Sequence, residues 1–184
     1  MKYFAYGSNI PKIDMGYRCP GATPISSWTL PNHKLCFHDV ANVIPCDGND
    51  VVGALWDITP QDEVNLDRYE GYPMLYDKHW HNGVLYYRMN FDFEEDNMLY
   101  LPMDFYLAGM MRGYDDFGID RTNLLRSMGF PELADVLVDY REDRLTFWDA
   151  VDLTGLGHEN FNQLSMMLNL EDGGDDIETN WIKK

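Results

Sequence analysis

A strand-to-helix turn near the start of the chain contains residues suited to holding a small anion. Tyr6-Gly7-Ser8-Asn9 separates a predicted strand from a predicted helix. Successive backbone N–H groups in such a turn can converge on an anion, and the helix N-terminus that follows adds to the attraction. An ordinary turn explains the same residues equally well, with glycine supplying backbone freedom and Asn9 capping the helix.

Glu70 is a candidate for proton transfer because it occupies the last turn of a predicted helix. Leu66 lies four residues earlier on the same helix face, so a buried Leu66 would turn Glu70 inward as well. The negative end of the helix dipole, and burial beside Tyr69 and Tyr72, both disfavour the ionised carboxylate. A carboxyl group with a raised pKa suits a general base near neutral pH. The alternative is a solvated acid at a helix end, which is what most single glutamates are.

Three further segments accompany these two along the chain. They are, in order, Ala41-Asn42-Val43-Ile44-Pro45, Val52-Gly53-Ala54-Leu55-Trp56, and Tyr106 with Gly113 seven residues later. Taken alone, they predict a loop, a buried strand and a core aromatic at the start of a helix.

Together the five segments resemble the γ-glutamylcyclotransferase-like (AIG2-like) family along residues 3–126. The resemblance rests on a Phe-Ala-Tyr-Gly-Ser-Asn opening, an Ala-Asn-hydrophobic-x-Pro loop, a Val-x-Gly-x-Leu-Trp strand, a Leu-Asp-x-x-Glu-Gly segment and the Tyr-to-Gly spacing around Tyr106. Each motif is short, but five in the right order form a specific match. The family fold is a small mixed β-barrel flanked by helices, which is the expectation here.

The resemblance also implies roles for individual residues. The turn formed by Tyr6, Gly7, Ser8 and Asn9 matches the family's substrate cradle, whose backbone amides hold the α-carboxylate of a γ-glutamyl group. Glu70 matches the catalytic glutamate, and Tyr106 matches a tyrosine that lines the pocket. Asn42 lies in a matching segment, and we assign it no role.

The activity implied by the resemblance is release of an amine or amino acid from a small γ-glutamyl substrate, leaving 5-oxoproline, without a metal or other cofactor. Specificity for the leaving amine is expected from the segments 72–76 and 94–102. Two alternatives keep the fold without this chemistry. One is a pocket that only binds a small molecule, and the other is an acidic module that engages a basic partner protein.

The elements that must position these residues follow an α+β pattern, with strands in the first hundred residues and helices in the remainder. Asp104 is predicted to cap a helix, and Asn9 or Ile10 another. The other predictions are strands over 2–6, 22–30, 33–38, 51–58, 75–81 and 84–92, loops at 45–50 and 94–96, a turn at Asn82-Gly83, and helices over 11–17, 60–70, 104–114, 121–128, 131–138 and 158–169.

The family pattern ends near residue 126, which predicts a domain over 1–126 and a helical extension over 127–184 packed on the same domain. The extension ends in an acidic segment, residues 171–178, for which we expect mobility. The stripe Met110, Met111, Tyr114 and Phe117 is expected in the core. His79-Trp80-His81 indicates an edge strand more than a metal site, since no third ligand is identifiable.

Composition limits the kinds of partner. The chain of 184 residues has 31 acidic and 14 basic residues and a formal net charge of −17. This charge repels nucleic acid and anionic membranes, so neither is expected as a partner. The sequence shows no secretory signal and no membrane-spanning run, and its three cysteines form no C-x-x-C pair. We therefore expect a cytoplasmic protein, whose oligomeric state stays open.

Overall fold

The computed structural model describes residues 1–38, 40–90 and 101–168, and these form a mixed α+β fold. Within the described residues the elements, in chain order, are β1 (Lys2–Ala5), α1 (Lys12–Arg18), β2 (Thr23–His38), β3 (Val40–Asp57), α2 (Pro60–Tyr69), β4 (Tyr76–His81), β5 (Val84–Met89), α3 (Asp104–Asp116), α4 (Asn123–Ser127), α5 (Pro131–Arg141), α6 (Phe147–Thr154) and α7 (His158–Leu168).

The five strands form one sheet in the order β2-β3-β1-β5-β4. The central strand β1 pairs antiparallel with β3 and parallel with β5, where Tyr3 lies opposite Leu85. The predicted α+β class, a mixed sheet flanked by helices, is confirmed. The sheet is not closed among the described residues, because β2 and β4 lie at its two edges, so barrel is a loose description of it.

The prediction of two strands separated at Pro31-Asn32 is wrong, because β2 runs unbroken through this point. Its pairing with β3 shifts between Pro31 and His33. The predicted loops at 41–45 and 45–50 are also wrong, because both segments lie within β3, whose register with β2 skips residues 46–49. Asn32 has a φ of 56°, and its Oδ1 accepts the N–H of Gly48 at 3.1 Å. The side chain therefore replaces lost ladder bonding, which allows the strand to continue.

Helix α2 follows its sequence signals closely. Thr59 occupies the N-cap and Pro60 the first helical position, and a reciprocal capping box joins Thr59 to Asp62. The helix is followed by Glu70 and by Gly71, whose φ is 64°. The predicted hairpin turn at Asn82-Gly83 is also confirmed, since both residues have positive φ as a type I′ turn requires.

The predicted caps of two other helices are wrong. Helix α1 begins at Lys12 with Pro11 at the N-cap, so neither Asn9 nor Ile10 caps it. Helix α3 begins at Asp104 itself, which places Met103 at the cap position. Helix α6 was absent from the predictions, although Thr146 and Asp149 form a capping box that is visible in the sequence.

Two glycines of the sequence motifs, Gly53 and Gly113, allow neighbouring segments of the fold to pack closely. A Cβ built on Gly53 would lie 2.2 Å from the backbone oxygen of Ala5, so β1 and β3 could not approach as they do. A Cβ on Gly113 would lie 2.6 Å from the Ile10 side chain, where α3 packs on the segment before α1. These contacts explain why small residues occupy both positions.

The core of the sheet and helices contains the predicted apolar stripe of α3. Met110, Met111 and Tyr114 are buried, while Phe117 is partly exposed and packs edge-on against Trp56 at 5.3 Å between ring centroids. The prediction of core packing is therefore confirmed for the first three.

The chain divides into two compact units between Asp135 and Val136, within α5. The predicted domain boundary at residues 126 and 127 remains a prediction. In the second unit, Tyr140, Phe147 and Phe161 form a cluster of edge-on rings. The predicted acidic loop at 94–96 and the acidic segment 171–178 lie outside the described residues. No helix of the described ranges is long and apolar enough to cross a bilayer.

Candidate active site

A cavity of about 310 Å³ opens where the turn after β1 faces the end of α2. All six residues singled out from the sequence line it, namely Tyr6, Gly7, Ser8, Asn9, Glu70 and Tyr106. Tyrosine dominates the wall, since Tyr3, Tyr69, Tyr76 and Tyr87 join Tyr6 and Tyr106 there. The turn that contains Asn9 and the carboxyl group of Glu70 are therefore neighbours in space, although the two residues are 61 positions apart in the sequence.

Glu70 lies at the C-terminal end of α2, one helical turn after the buried Leu66, as the spacing predicted. Its Oε1 accepts a hydrogen bond from Nδ2 of Asn9 at 2.8 Å. Burial raises the pKa of Glu70 to about 7, although the Arg18 guanidinium and the hydrogen bond from Asn9 act in the opposite direction. A carboxyl group with this pKa changes protonation state near neutral pH and can both accept and return a proton.

Asn9 is 3 % exposed and uses its side chain within the site instead of capping a helix. Its Nδ2 donates to the Tyr3 hydroxyl at 3.0 Å as well as to Glu70. Its Oδ1 accepts from Arg18 at 2.7 Å. The amide therefore joins three elements of the fold, which explains its burial.

Gly7 and Tyr106 form the contact between the turn and α3. The Tyr106 hydroxyl accepts the backbone N–H of Ala41 at 3.1 Å. Burial raises the pKa of Tyr106, and the backbone N–H groups of Ala41 and Ser8 oppose this rise. A Cβ on Gly7 would lie 2.7 Å from that hydroxyl and 2.9 Å from the Ala41 Cβ, so the position requires glycine.

Two other tyrosines are anchored through their hydroxyl groups. Tyr6 donates to the backbone oxygen of Tyr87 at 2.6 Å, and Tyr76 donates to that of Ala41 at 2.7 Å. Burial raises the pKa of both phenols, so they stay neutral at physiological pH. Their rings thus form rigid, uncharged walls of the cavity.

Sequence reasoning missed Arg18, the last residue of α1. Its Nη1 donates to the backbone oxygen of Ser8 and to Asn9, and its guanidinium lies 4.1 Å from the centre of the Tyr69 ring. The Ser8 Oγ and the Tyr69 hydroxyl are 3.0 Å apart. A basic residue in a last helical turn normally indicates only a dipole contact, so the sequence carried no signal for this position.

Asn42, to which no role was assigned, is buried outside the cavity lining. Its Oδ1 accepts the N–H groups of Val43 and Met89, each at 2.9 Å. It therefore connects β3 to the end of β5 as a structural residue.

Neither histidine of the predicted edge strand joins a metal-binding cluster within the described ranges. His79 stacks on Tyr86 at 5.6 Å and His81 lies 6.1 Å from Trp28, both measured between ring centroids. Across the residues that the structure describes, no group of three or more His, Cys, Asp and Glu side chains is arranged to hold a metal ion.

Solved structures resemble this fold. One described as a gamma-glutamyl cyclotransferase aligns with a TM-score of 0.50 and 22 % identity, covering 64 % of this chain and 79 % of its own. An uncharacterized protein from Homo sapiens aligns with a TM-score of 0.49 and 23 % identity, with the same coverage. At these identities the first likeness shows the fold alone.

Comparison with curated proteins finds no match. The family model described as gamma-glutamyl cyclotransferase, AIG2-like, matches residues 3–98, a segment that includes Glu70 and the turn facing it. The chain therefore belongs to the AIG2-like γ-glutamyl cyclotransferase family.

Proposed function

We propose that this protein is a cofactor-independent γ-glutamylcyclotransferase-like enzyme, with Glu70 as general acid and base. Its substrate would be a γ-glutamyl amide, and its products 5-oxoproline and a free amine or amino acid. The observation that carries the proposal is a carboxyl group with a pKa of about 7 that faces the Gly7–Asn9 turn across one small cavity.

The reaction needs one proton acceptor that later becomes a donor. The Glu70 carboxylate removes a proton from the substrate's α-ammonium group, which is protonated at neutral pH because an α-amino group of a peptide has an ordinary pKa of ~8. The freed amine nitrogen attacks the γ-carbonyl carbon and closes a five-membered ring. As the bond between that carbon and the leaving nitrogen breaks, Glu70 returns the proton to this nitrogen. The ring nitrogen, which is still NH₂⁺, then gives its second proton to the regenerated Glu70 carboxylate and becomes the N–H of 5-oxoproline. Glu70 passes this second proton to the released amine or to water and is ionised again.

Tethering of the nucleophile supplies much of the rate enhancement in this proposal. The amine and the carbonyl belong to one molecule, so the enzyme needs mainly to hold the reactive rotamer. The turn formed by Tyr6, Gly7, Ser8 and Asn9 would bind the α-carboxylate. Tyr106, whose hydroxyl oxygen already accepts a hydrogen bond from Ala41, would donate its own proton to a substrate oxygen.

The cavity favours a small substrate. Its volume of about 310 Å³ lies at the lower end of the range for ligand pockets. Leu75 and Tyr76, from the segment predicted to contribute to specificity, line it. The other predicted segment, 94–102, lies mostly outside the described residues, and the leaving amine stays open.

The test is incubation of the purified protein with a panel of γ-glutamyl amides, peptides and isopeptides, followed by measurement of 5-oxoproline and the partner amine. We expect both products in equal amounts. The variant Glu70→Gln should lose about 10²- to 10⁴-fold in kcat, because it removes the proton acceptor at nearly unchanged volume. Glu132→Gln, which changes an exposed glutamate, is the matched control and should keep wild-type turnover.

Three outcomes would contradict the proposal. Wild-type turnover in a folded Glu70→Gln variant would exclude the proposed role of this residue. Tight binding of an unchanged γ-glutamyl compound would indicate a pocket without catalysis. Salt-sensitive binding of a basic protein that survives Glu70→Ala, and is lost on removal of residues 171–184, would indicate the acidic interaction module. A cytoplasmic location, inferred from composition, is part of the proposal and is tested by fractionation.

A further inference from the structure

We infer that Arg18 is a positioning residue for the proposed reaction, which fixes the Asn9 amide so that its NH₂ group faces Glu70. The inference rests on the proposed function for its meaning in catalysis. The geometry that carries it is a chain of contacts from α1 through the turn to the end of α2.

The guanidinium of Arg18 is held from several sides. Its Nη1 donates to Oδ1 of Asn9 at 2.7 Å and to the backbone oxygen of Ser8. Its planar group lies over the Tyr69 ring, 4.1 Å from the ring centre. Its own backbone oxygen accepts Nδ2 of Asn65 at 3.1 Å, which ties the end of α1 to α2. Arginine suits this place because it combines a flat stacking face with a rigid set of donors.

The hydrogen bond between Arg18 and Asn9 fixes which way round the asparagine amide lies, because the two ends of an amide differ. An amide has one oxygen that only accepts and one NH₂ group that only donates, whereas arginine only donates. Arg18 therefore requires Oδ1 of Asn9 on its own side. The NH₂ group must then point to Glu70 and to the Tyr3 hydroxyl, where it donates at 2.8 and 3.0 Å. A flipped amide would place its oxygen against the Glu70 carboxylate and repel it.

Arg18 also acts on Glu70 through its charge. The other titratable groups that act electrostatically on Glu70 have pKa values raised mainly by burial, so they are uncharged at neutral pH. They come from β1, the turn after it, the end of α1, β4, β5 and α3, and are Tyr3, Tyr6, Cys19, Tyr76, Tyr87 and Tyr106. Among the described residues, the charge that acts on the Glu70 carboxylate is thus that of Arg18.

The first measurement follows Glu70 directly and needs no substrate. Carbon-13 NMR of the side-chain carboxyl groups is recorded against pH, and the Glu70 signal is assigned by its loss in Glu70→Gln. The wild-type midpoint is expected at about 7. Arg18→Met removes both charge and donors, so its midpoint should rise by about one pH unit or more. Arg68→Met removes the same charge from an exposed residue two positions before Glu70 and should leave the midpoint in place.

The second measurement is the rate of 5-oxoproline formation. Arg18→Met should lower kcat by about tenfold to a hundredfold with a smaller change in KM, because the residue orients the acid–base group. Arg18→Lys keeps the charge but loses the fork and the stacking face. Its Glu70 midpoint should stay close to that of the wild type, while its kcat recovers only in part. Arg68→Met should keep wild-type kcat.

The inference is overturned if Arg18→Met and Arg68→Met have the same Glu70 midpoint. Equal kcat values in these two variants would overturn it as well. If Arg18→Met does not fold, the test uses Arg18→Lys instead. A kcat of Arg18→Lys equal to that of the wild type would contradict the proposed role of the guanidinium fork. Failure of the wild-type protein to form 5-oxoproline from any γ-glutamyl amide would contradict the proposed function instead. The NMR titration would still decide whether Arg18 controls Glu70.

Discussion

At the scale of single residues, the burial of Glu70 opposes its ionisation and so links the stability of the fold to pH. Burial raises its pKa to about 7, which means that the folded protein binds its proton more tightly than the unfolded chain does. The stability gained from that proton is complete below the ordinary pKa of 4.5 and is lost as the pH rises through about 7. An ionised Glu70 therefore destabilises the fold above neutral pH.

We predict that Glu70→Gln stabilises the protein at pH 8 by up to roughly 3 kcal/mol, since glutamine has no charge to bury. Its amide oxygen can still accept the hydrogen bond from Asn9. The free energy of unfolding, measured with urea, should differ most between variant and wild type at pH 8. The difference should shrink as the pH falls through 7 and be smallest near pH 4.5. A difference that does not vary with pH would contradict the origin proposed for the raised pKa.

At the scale of elements, the turn after β1 depends on a close approach of α3. Gly7 leaves no room for a side chain between the Tyr106 hydroxyl and Ala41. A glycine is therefore needed at this position of the motif for a steric reason, which the sequence pattern alone did not reveal. Gly16, in the interior of α1, is different, because a Cβ there would meet nothing within 4 Å.

The variant Gly7→Ala should lose about 1–3 kcal/mol of stability, because the added methyl group displaces Tyr106 or the turn. Its turnover of γ-glutamyl amides should fall with the displacement of the cavity wall. The matched control Gly16→Ala should gain roughly 0.5–1 kcal/mol from helix propensity and keep its activity. Thermal unfolding and 5-oxoproline formation measure both effects. An equal response of the two variants would rule out a close contact at Gly7.

At the scale of the whole molecule, the net charge of −17 opposes folding through self-repulsion. Some acidic residues are paired, and Lys78 contacts both Glu63 and Asp67 within 3 Å. Acidic residues nevertheless outnumber basic ones by more than two to one. Repulsion should therefore outweigh the exposed ion pairs, which contribute little individually.

We predict that raising NaCl from 10 to about 150 mM at pH 7.5 increases the Tm by a few degrees, because salt screens repulsion between exposed charges. The control is the same salt series near pH 4.4, the sequence pI, where net charge is close to zero. The increase should be much smaller there. A Tm that falls with salt at pH 7.5 would mean that attractive ion pairs dominate instead.

The sequence by itself determined those features whose signals are local. The cap and proline that begin α2, the glycine that follows it and the turn at Asn82-Gly83 each lie within a few neighbouring residues. The family motifs also marked Glu70 and the turn that faces it. Periodicity predicted the buried stripe of α3, because helical spacing is a property of the chain itself.

Only the tertiary structure decided which hydrogen bonds form between side chains and groups that are distant in the sequence. Asn9 has the residue type of a helix cap, but its side chain does not cap α1. Its amide oxygen accepts a hydrogen bond from Arg18 in the next helix, and its NH₂ group donates one to Glu70, 61 residues away. Likewise, Asn32 continues β2 because a glycine of the opposite strand supplies its hydrogen bond. Which hydrogen bonds these side chains form depends on which donors and acceptors folding brings within about 3 Å, and a local sequence pattern does not contain this information.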